Sequence, residues 1–149
     1  PFKKMEEAVD ELHIGTMERA RFPKRFDLIT CIHAFNYSLN APLWLAKMYN
    51  ALHMNGKLFI NFEKPRGRRR HPLQEFRKFV PTLKRAGAKI QYLFNVEGKP
   101  ISVIVTRGTN EYIPISDVLH LPFDSFYTKK GLHKMVVRSK RKPLPKPKQ

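Results

Sequence analysis

Two residues with reactive side chains, Cys31 and His33, stand close together at the end of an apolar stretch. A cysteine thiolate is a nucleophile, and a histidine is a general base near neutral pH. The structural alternatives are a small buried cysteine and a packed or solvent-facing histidine. The six His residues and the single Cys show no metal-ligand spacing, so no metal site is expected. The sequence also contains no Walker loop and no Gly-x-Ser-x-Gly elbow.

A basic run at positions 64–71, Lys-Pro-Arg-Gly-Arg-Arg-Arg-His, is the second group of residues that could bind a ligand. It follows a predicted parallel strand, and open α/β sheets bind ligands beyond the carboxyl ends of their strands. Residues 129–149 add nine Lys and Arg and no acidic residue. The nucleic-acid-binding candidates are Lys64, Arg66, Arg68, Arg69 and Arg70. The alternative is a solvated basic loop followed by a flexible basic tail without specificity.

The overall charge indicates a polyanionic partner. The chain has 29 Lys and Arg against 12 Asp and Glu, a net charge of +17. Such an excess favours polyanions, meaning a nucleic acid such as RNA or an acidic membrane surface.

Length and composition indicate one globular domain. The chain has 149 residues, of which 42% are apolar. The single cysteine excludes an intramolecular disulfide and fits a reducing compartment, so a cytoplasmic location is expected. No apolar run is long enough to span a bilayer, and the first residues lack the apolar segment of a secretory signal. Because the chain does not begin with Met, a processed, trimmed or partial chain is also an expectation.

The hydrophobic pattern predicts the elements that position these residues. Residues 26–32 are almost continuously apolar or β-branched, which predicts a strand buried on both faces. A helix is predicted over about 42–52, capped by Asn40 and stopped at Asn55-Gly56, and a second buried strand over 57–62. This strand–helix–strand unit is typical of a parallel sheet covered by helices.

Further elements flank this unit. A short helix at 3–10, a brief strand at 11–14 and a helix at 73–86, which Pro81 should kink or restart, are predicted. Strands at 89–96 and 101–106 are joined by so short a turn that they must be antiparallel. The predicted fold class is α/β: a partial Rossmann-like sheet whose parallel strands are closed by an antiparallel hairpin, with helices on the faces.

Three sequence segments and the closing hairpin together carry a family resemblance. They are Leu12-His13-Ile14-Gly15-Thr16-Met17-Glu18, Phe26-Asp27-Leu28-Ile29-Thr30-Cys31, Leu52-His53-Met54-Asn55-Gly56-Lys57-Leu58-Phe59-Ile60, and the hairpin at 89–106. Over about residues 10–107 the chain resembles the carboxyl-terminal two thirds of a class I (Rossmann-like) S-adenosylmethionine-dependent methyltransferase. The resemblance implies that the cofactor is S-adenosylmethionine. It also implies an adenine pocket lined by Gly15, Thr16 and Met17, and a methyl-transfer site near Cys31, Ile32 and His33.

The sequence departs from the family pattern at several points. It has neither the glycine-rich loop that cradles the cofactor nor the acidic residue that holds the ribose, and no Gly-x-Gly occurs in it. Thr16 stands where the family often has Asp, and a hydroxyl accepts a hydrogen bond without the charge. Thr30, not Pro, precedes Cys31, unlike the nucleophilic cysteine of some RNA cytosine methyltransferases. The Asn-Pro-Pro-Tyr signature of amino-directed nucleic-acid methyltransferases is replaced by Cys-Ile-His-Ala-Phe-Asn-Tyr.

These observations predict a domain organisation and leave several functions open. A partial methyltransferase-like domain at 1–108, an irregular extension at 109–128 with at most one short strand, and a basic tail at 129–149 are expected. The first function is a methyltransferase fragment acting on RNA or another polyanion, inactive without the missing loop. The second is a non-catalytic nucleic-acid-binding module on a degenerate Rossmann-like scaffold. The third is a basic interaction domain whose tail contacts ribosomes or membranes without specificity.

Overall fold

A computed structural model describes most of the chain between Met17 and Leu119. The described residues are 17–22, 24–32, 34–35, 38, 40–62 and 72–119, with isolated residues before them. The basic run at 64–71, most of the predicted strand at 11–14, and everything from 120 onwards lie outside this set.

The described chain forms an α/β fold around a four-stranded mixed sheet. Its strands are β1 (Phe26–Cys31), β2 (Leu52–Asn61), β3 (Lys89–Phe94) and β4 (Pro100–Thr106). Their order in the sheet is β1-β2-β4-β3, with β1 parallel to β2 and both pairs that involve β4 antiparallel. The helices are α1 (Ala41–Asn50), α2 (Pro72–Arg85) and α3 (Ile115–Leu119). The predicted fold class and the closing antiparallel hairpin are therefore confirmed, and the arrangement is consistent with part of a Rossmann-like sheet.

Helix α1 begins where the sequence predicts. The side chain of Asn40 accepts a hydrogen bond from the Leu43 N–H at 3.2 Å, and Pro42 lies in the first turn, where a missing N–H costs nothing. The helix ends at Asn50, two residues earlier than predicted, and Ala51 caps it. Helix α2 runs without a break from Pro72 to Arg85, with Pro81 on its exposed side, so the helix does not restart there.

The two faces of the sheet have different environments. Strand alternation and register bring Ile29 and Cys31 of β1, Leu58 and Ile60 of β2, and Val103 and Val105 of β4 onto one face. This covered face belongs to one core cluster with buried side chains of α1, α2 and α3. The opposite, open face presents Leu28, Thr30, Lys57, Phe59 and Ile104. In the described part of the chain, the helices thus pack against one face.

The prediction that the first strand is buried on both faces is wrong. Leu28, which projects from the open face, is 62% exposed, and Ile32, just beyond the strand, is 56% exposed. Strand β1 is also the last strand of the sheet, so no described strand pairs with its outer edge.

The prediction that Asn55-Gly56 stops a helix is also wrong. Between the pairs Phe26–Leu52 and Leu28–Lys57 the register shifts, because β1 advances two residues while β2 advances five. Asn55 has a φ of 65° inside this irregularity, and a Cβ on Gly56 would lie 2.8 Å from the His53 carbonyl oxygen. The dipeptide therefore forms a bulge within β2, where a positive φ and a close backbone approach are both needed.

Residues 109–119 pack onto the same core. Ile113 and Val118 are buried, and Asn50 makes two hydrogen bonds with the backbone of Ile113. The segment contains the short helix α3 and, as far as it is described, no strand.

Candidate functional site

Helix α1 and its capping residue Asn40 are joined to a short 3-10 helix, Met17–Arg19, by side-chain hydrogen bonds. The Asn40 N–H donates to Glu18 Oε1 at 3.0 Å, and the Lys47 ammonium donates to the carbonyl oxygens of Glu18 and Ala20. An acidic side chain at a helix amino terminus is also favoured by the helix dipole. These bonds fix the 3-10 helix along α1, from Asn40 at its cap to Lys47 in its last turn.

Cys31 lies on the covered face and has little access to solvent. Its side chain is buried in the core cluster, and this burial raises the pKa of the thiol to about 11. The thiol is therefore almost entirely protonated near neutral pH, which suits packing better than nucleophilic attack.

The other predicted cofactor contacts are only partly described. Met17 is half-buried and packs against the core cluster, whereas Gly15 and Ile32 are exposed. Thr16 and His33 lie outside the described residues. Met17 and Cys31 thus contribute to one core cluster, to which Ile32 does not belong.

The basic candidates Lys64, Arg66, Arg68, Arg69 and Arg70 and the tail at 129–149 also lie outside the described residues. Their predicted role remains a prediction.

Two buried polar groups lie between the end of β1 and the first turns of α1. Neither Ser38 Oγ nor Trp44 Nε1 has a hydrogen-bond partner in the described part of the chain. A buried donor without a partner is costly, so these groups favour a polar partner at this end of the sheet.

Sequence reasoning missed Arg107, which follows β4 at the opposite end of the sheet. The side chain is fully buried and its guanidinium donates to five backbone carbonyl oxygens, at distances from 2.7 to 3.2 Å. The acceptors belong to Asn50, Leu52, Thr109, Asn110 and Glu111. Burial lowers the pKa of Arg107, and Arg25 lowers it further, but an arginine starts so high that the charge remains. In the sequence, Arg107 stands directly after an apolar strand, and this position does not indicate which carbonyl groups the side chain contacts.

Among the described residues, no group of three or more His, Cys, Asp and Glu side chains could hold a metal ion. None of the described helices has the length and apolar character needed to cross a bilayer.

Comparisons with models of known protein families, with curated proteins and with solved structures find no significant match to this chain. In the part of the chain that the structure describes, the residues define an α/β protein whose sheet has helices packed on one face.

Proposed function

We propose that this chain is part of an S-adenosylmethionine-dependent methyltransferase domain that acts in the cytoplasm on RNA or another polyanionic acceptor. The observation that supports the proposal most is the exposure of strand β1 at its outer edge and on its open face. Its outer edge has no described partner and its open face exposes Leu28, beside the exposed Ile32. An apolar strand with a free edge favours pairing and covering by further protein. In the methyltransferase family that the sequence resembles, the cofactor-binding half of the sheet pairs with this edge.

The residues of this chain fit the adenine side of such a cofactor. Glu18, next to Met17 in the chain, accepts a hydrogen bond from Asn40 at the amino end of α1, and Met17 offers a soft, adaptable contact for a flat ring. The unpartnered hydroxyl of Ser38 is a donor at the same end of the sheet. The sequence has no glycine-rich loop and no ribose-binding acid, so this chain alone should bind weakly or not at all. The bound cofactor would supply the methyl group.

Catalysis in this proposal depends on positioning. Methyl transfer requires in-line alignment of acceptor and donor more than acid–base chemistry. The thiol of Cys31 would accordingly line the site without reacting. His33 remains a candidate general base. The basic residues of 64–71 and of the tail would recruit the acceptor.

Calorimetric titration with S-adenosylmethionine tests the proposal. It should be performed on this chain and on a chain that includes any natural sequence preceding Pro1. We expect saturable binding by the longer chain and a roughly tenfold loss in its Met17→Ala variant, since buried contacts of this size contribute about 1.4 kcal/mol. Lys99→Gln, at the hairpin turn, is the matched control. A longer chain that does not bind would overturn the enzyme proposal.

The charge favours a second candidate function, a non-catalytic nucleic-acid-binding module. The net charge of +17 and the absence of Gly-x-Gly support it. RNA affinity should be measured against salt concentration for the natural chain and for variants neutralised at 64–71 and at 129–149. A steep salt dependence that these changes abolish, together with no cofactor binding by the longer chain, would favour the binding module.

A further inference from the structure

A cavity lies at the amino ends of β1 and β2. Its volume is about 420 Å³, within the range of small-molecule pockets. It opens between the segment before β1, the last turn of α1 and Tyr112. Its polar and aromatic lining residues are Phe22, Lys24, Arg25, Lys47, Asn50 and Tyr112.

The cavity is strongly positive. Three of its lining residues are basic, and none of the described lining residues is acidic. Arg107, whose guanidinium donates only to backbone carbonyls, adds a charge behind Tyr112, with its Cζ 4.6 Å from the ring centroid. Basic residues that lie this close together attract an anion through their combined charge.

The guanidinium of Arg25 has N–H groups that could donate to a ligand. Its guanidinium lies over the Tyr112 ring, with Cζ 5.0 Å from the centroid, and in the described part of the chain it makes no hydrogen bond or ion pair. A guanidinium held by a ring face keeps its N–H groups free for two oxygens of one anion. Lys47 uses two of its three protons on the backbone of Glu18 and Ala20, and the third remains.

We propose that this cavity binds the phosphate group of a nucleotide, either free or within an RNA strand. The guanidinium of Arg25 would hold two phosphate oxygens, and the ammonium groups of Lys24 and Lys47 would add charge. Phe22 and Tyr112 are partly exposed and provide apolar ring surface for a base. The size, the three basic residues and the aromatic lining together distinguish this site from an ordinary basic surface. The proposal does not depend on cofactor binding, because Phe22, Arg25 and Tyr112 are not among the predicted cofactor contacts. Lys47 adjoins both places, since its ammonium also donates to the carbonyl oxygen of Glu18.

Titration of the full chain with AMP, adenosine and inorganic phosphate, followed by NMR or calorimetry, tests the site. We expect AMP to bind and adenosine to bind at least tenfold more weakly, because a charge-assisted hydrogen bond is lost. Arg25→Gln should weaken AMP binding roughly tenfold, whereas Lys99→Gln removes the same charge from the distant hairpin turn and should leave binding unchanged. If Arg25→Gln does not fold, as judged by circular dichroism, Lys24→Gln replaces it.

Equal binding of AMP and adenosine, or equal losses in the pocket variant and in Lys99→Gln, would overturn the proposal. The source of the phosphate is decided by competition with a short oligouridylate. If it displaces AMP from the natural chain, and its own affinity falls in Arg25→Gln, the cavity lies on the path of an RNA strand. If it does not displace AMP, the ligand is a free nucleotide.

Discussion

The two faces of the sheet are made from the same strands but are organised differently. On the covered face Leu58, Ile60, Val103 and Val105 are fully buried and packed with helices. On the open face Leu28 is mostly exposed, and Lys57 donates only a long hydrogen bond of 3.4 Å to Thr106. One face supplies the stability of the domain, whereas the other has the composition of a surface that is partly apolar and lacks a described cover. The same apolar strand can therefore have one buried face and one exposed face, because burial depends on which elements pack against each face.

The largest expected difference compares two leucines on neighbouring strands. Leu58→Ala should lower the free energy of unfolding by about 3 kcal/mol, because it removes fully buried methyl groups and leaves a cavity. Leu28→Ala should cost less than about 1 kcal/mol, because that side chain already contacts water. Urea denaturation of both variants measures this difference. Equal losses would mean that the open face is covered in solution.

The reactivity of thiols probes the same two faces. Cys31, with its pKa raised to about 11 by burial, should react with a thiol reagent at pH 8 about two orders of magnitude more slowly than a thiol of ordinary pKa. The control is the double variant Thr30→Cys/Cys31→Ala, which moves the only thiol to the exposed neighbouring position. Because the folded state favours the protonated thiol, Cys31 contributes stability that is present below pH 9 and is lost towards pH 11. Comparable reaction rates would contradict the burial of Cys31.

The sequence predicts the hairpin well and the burial of β1 poorly, for a physical reason. A short turn between two apolar runs leaves only antiparallel pairing, so residues 89–106 require no knowledge of the rest of the fold. An apolar run such as 26–32 indicates a strand suited to burial but not which neighbours provide it. Asn55 and Gly56 were misassigned because a positive φ serves a helix end and a β-bulge equally well. Arg107 was missed because its acceptors include carbonyls more than fifty residues away.

Two basic residues, Arg107 and Lys57, should differ in their contribution to stability, but by less than the two leucines do. Arg107→Lys should lower the free energy of unfolding by about 2 kcal/mol, because a lysine has three donors and cannot bond to all five carbonyls that the guanidinium reaches. Lys57→Gln, on the open face, should cost less than about 0.5 kcal/mol. Thermal unfolding followed by circular dichroism measures both. A loss in Lys57→Gln as large as that in Arg107→Lys would show that the open face carries a buried polar network as well.

The smallest expected change in stability belongs to Leu28→Lys. At a mostly exposed position the substitution should change the free energy of unfolding by less than about 0.5 kcal/mol. A lysine on an edge strand opposes edge-to-edge pairing, so the variant should also self-associate less than the natural chain in sedimentation velocity runs at equal concentration. In a chain that includes any natural sequence preceding Pro1, the proposed function predicts that Leu28 is covered. Leu28→Lys would then lower the free energy of unfolding by about 3 kcal/mol, because the charge would be buried without a partner. An equally small cost in both chains would mean that the added sequence does not cover β1, which removes the main support for the methyltransferase proposal.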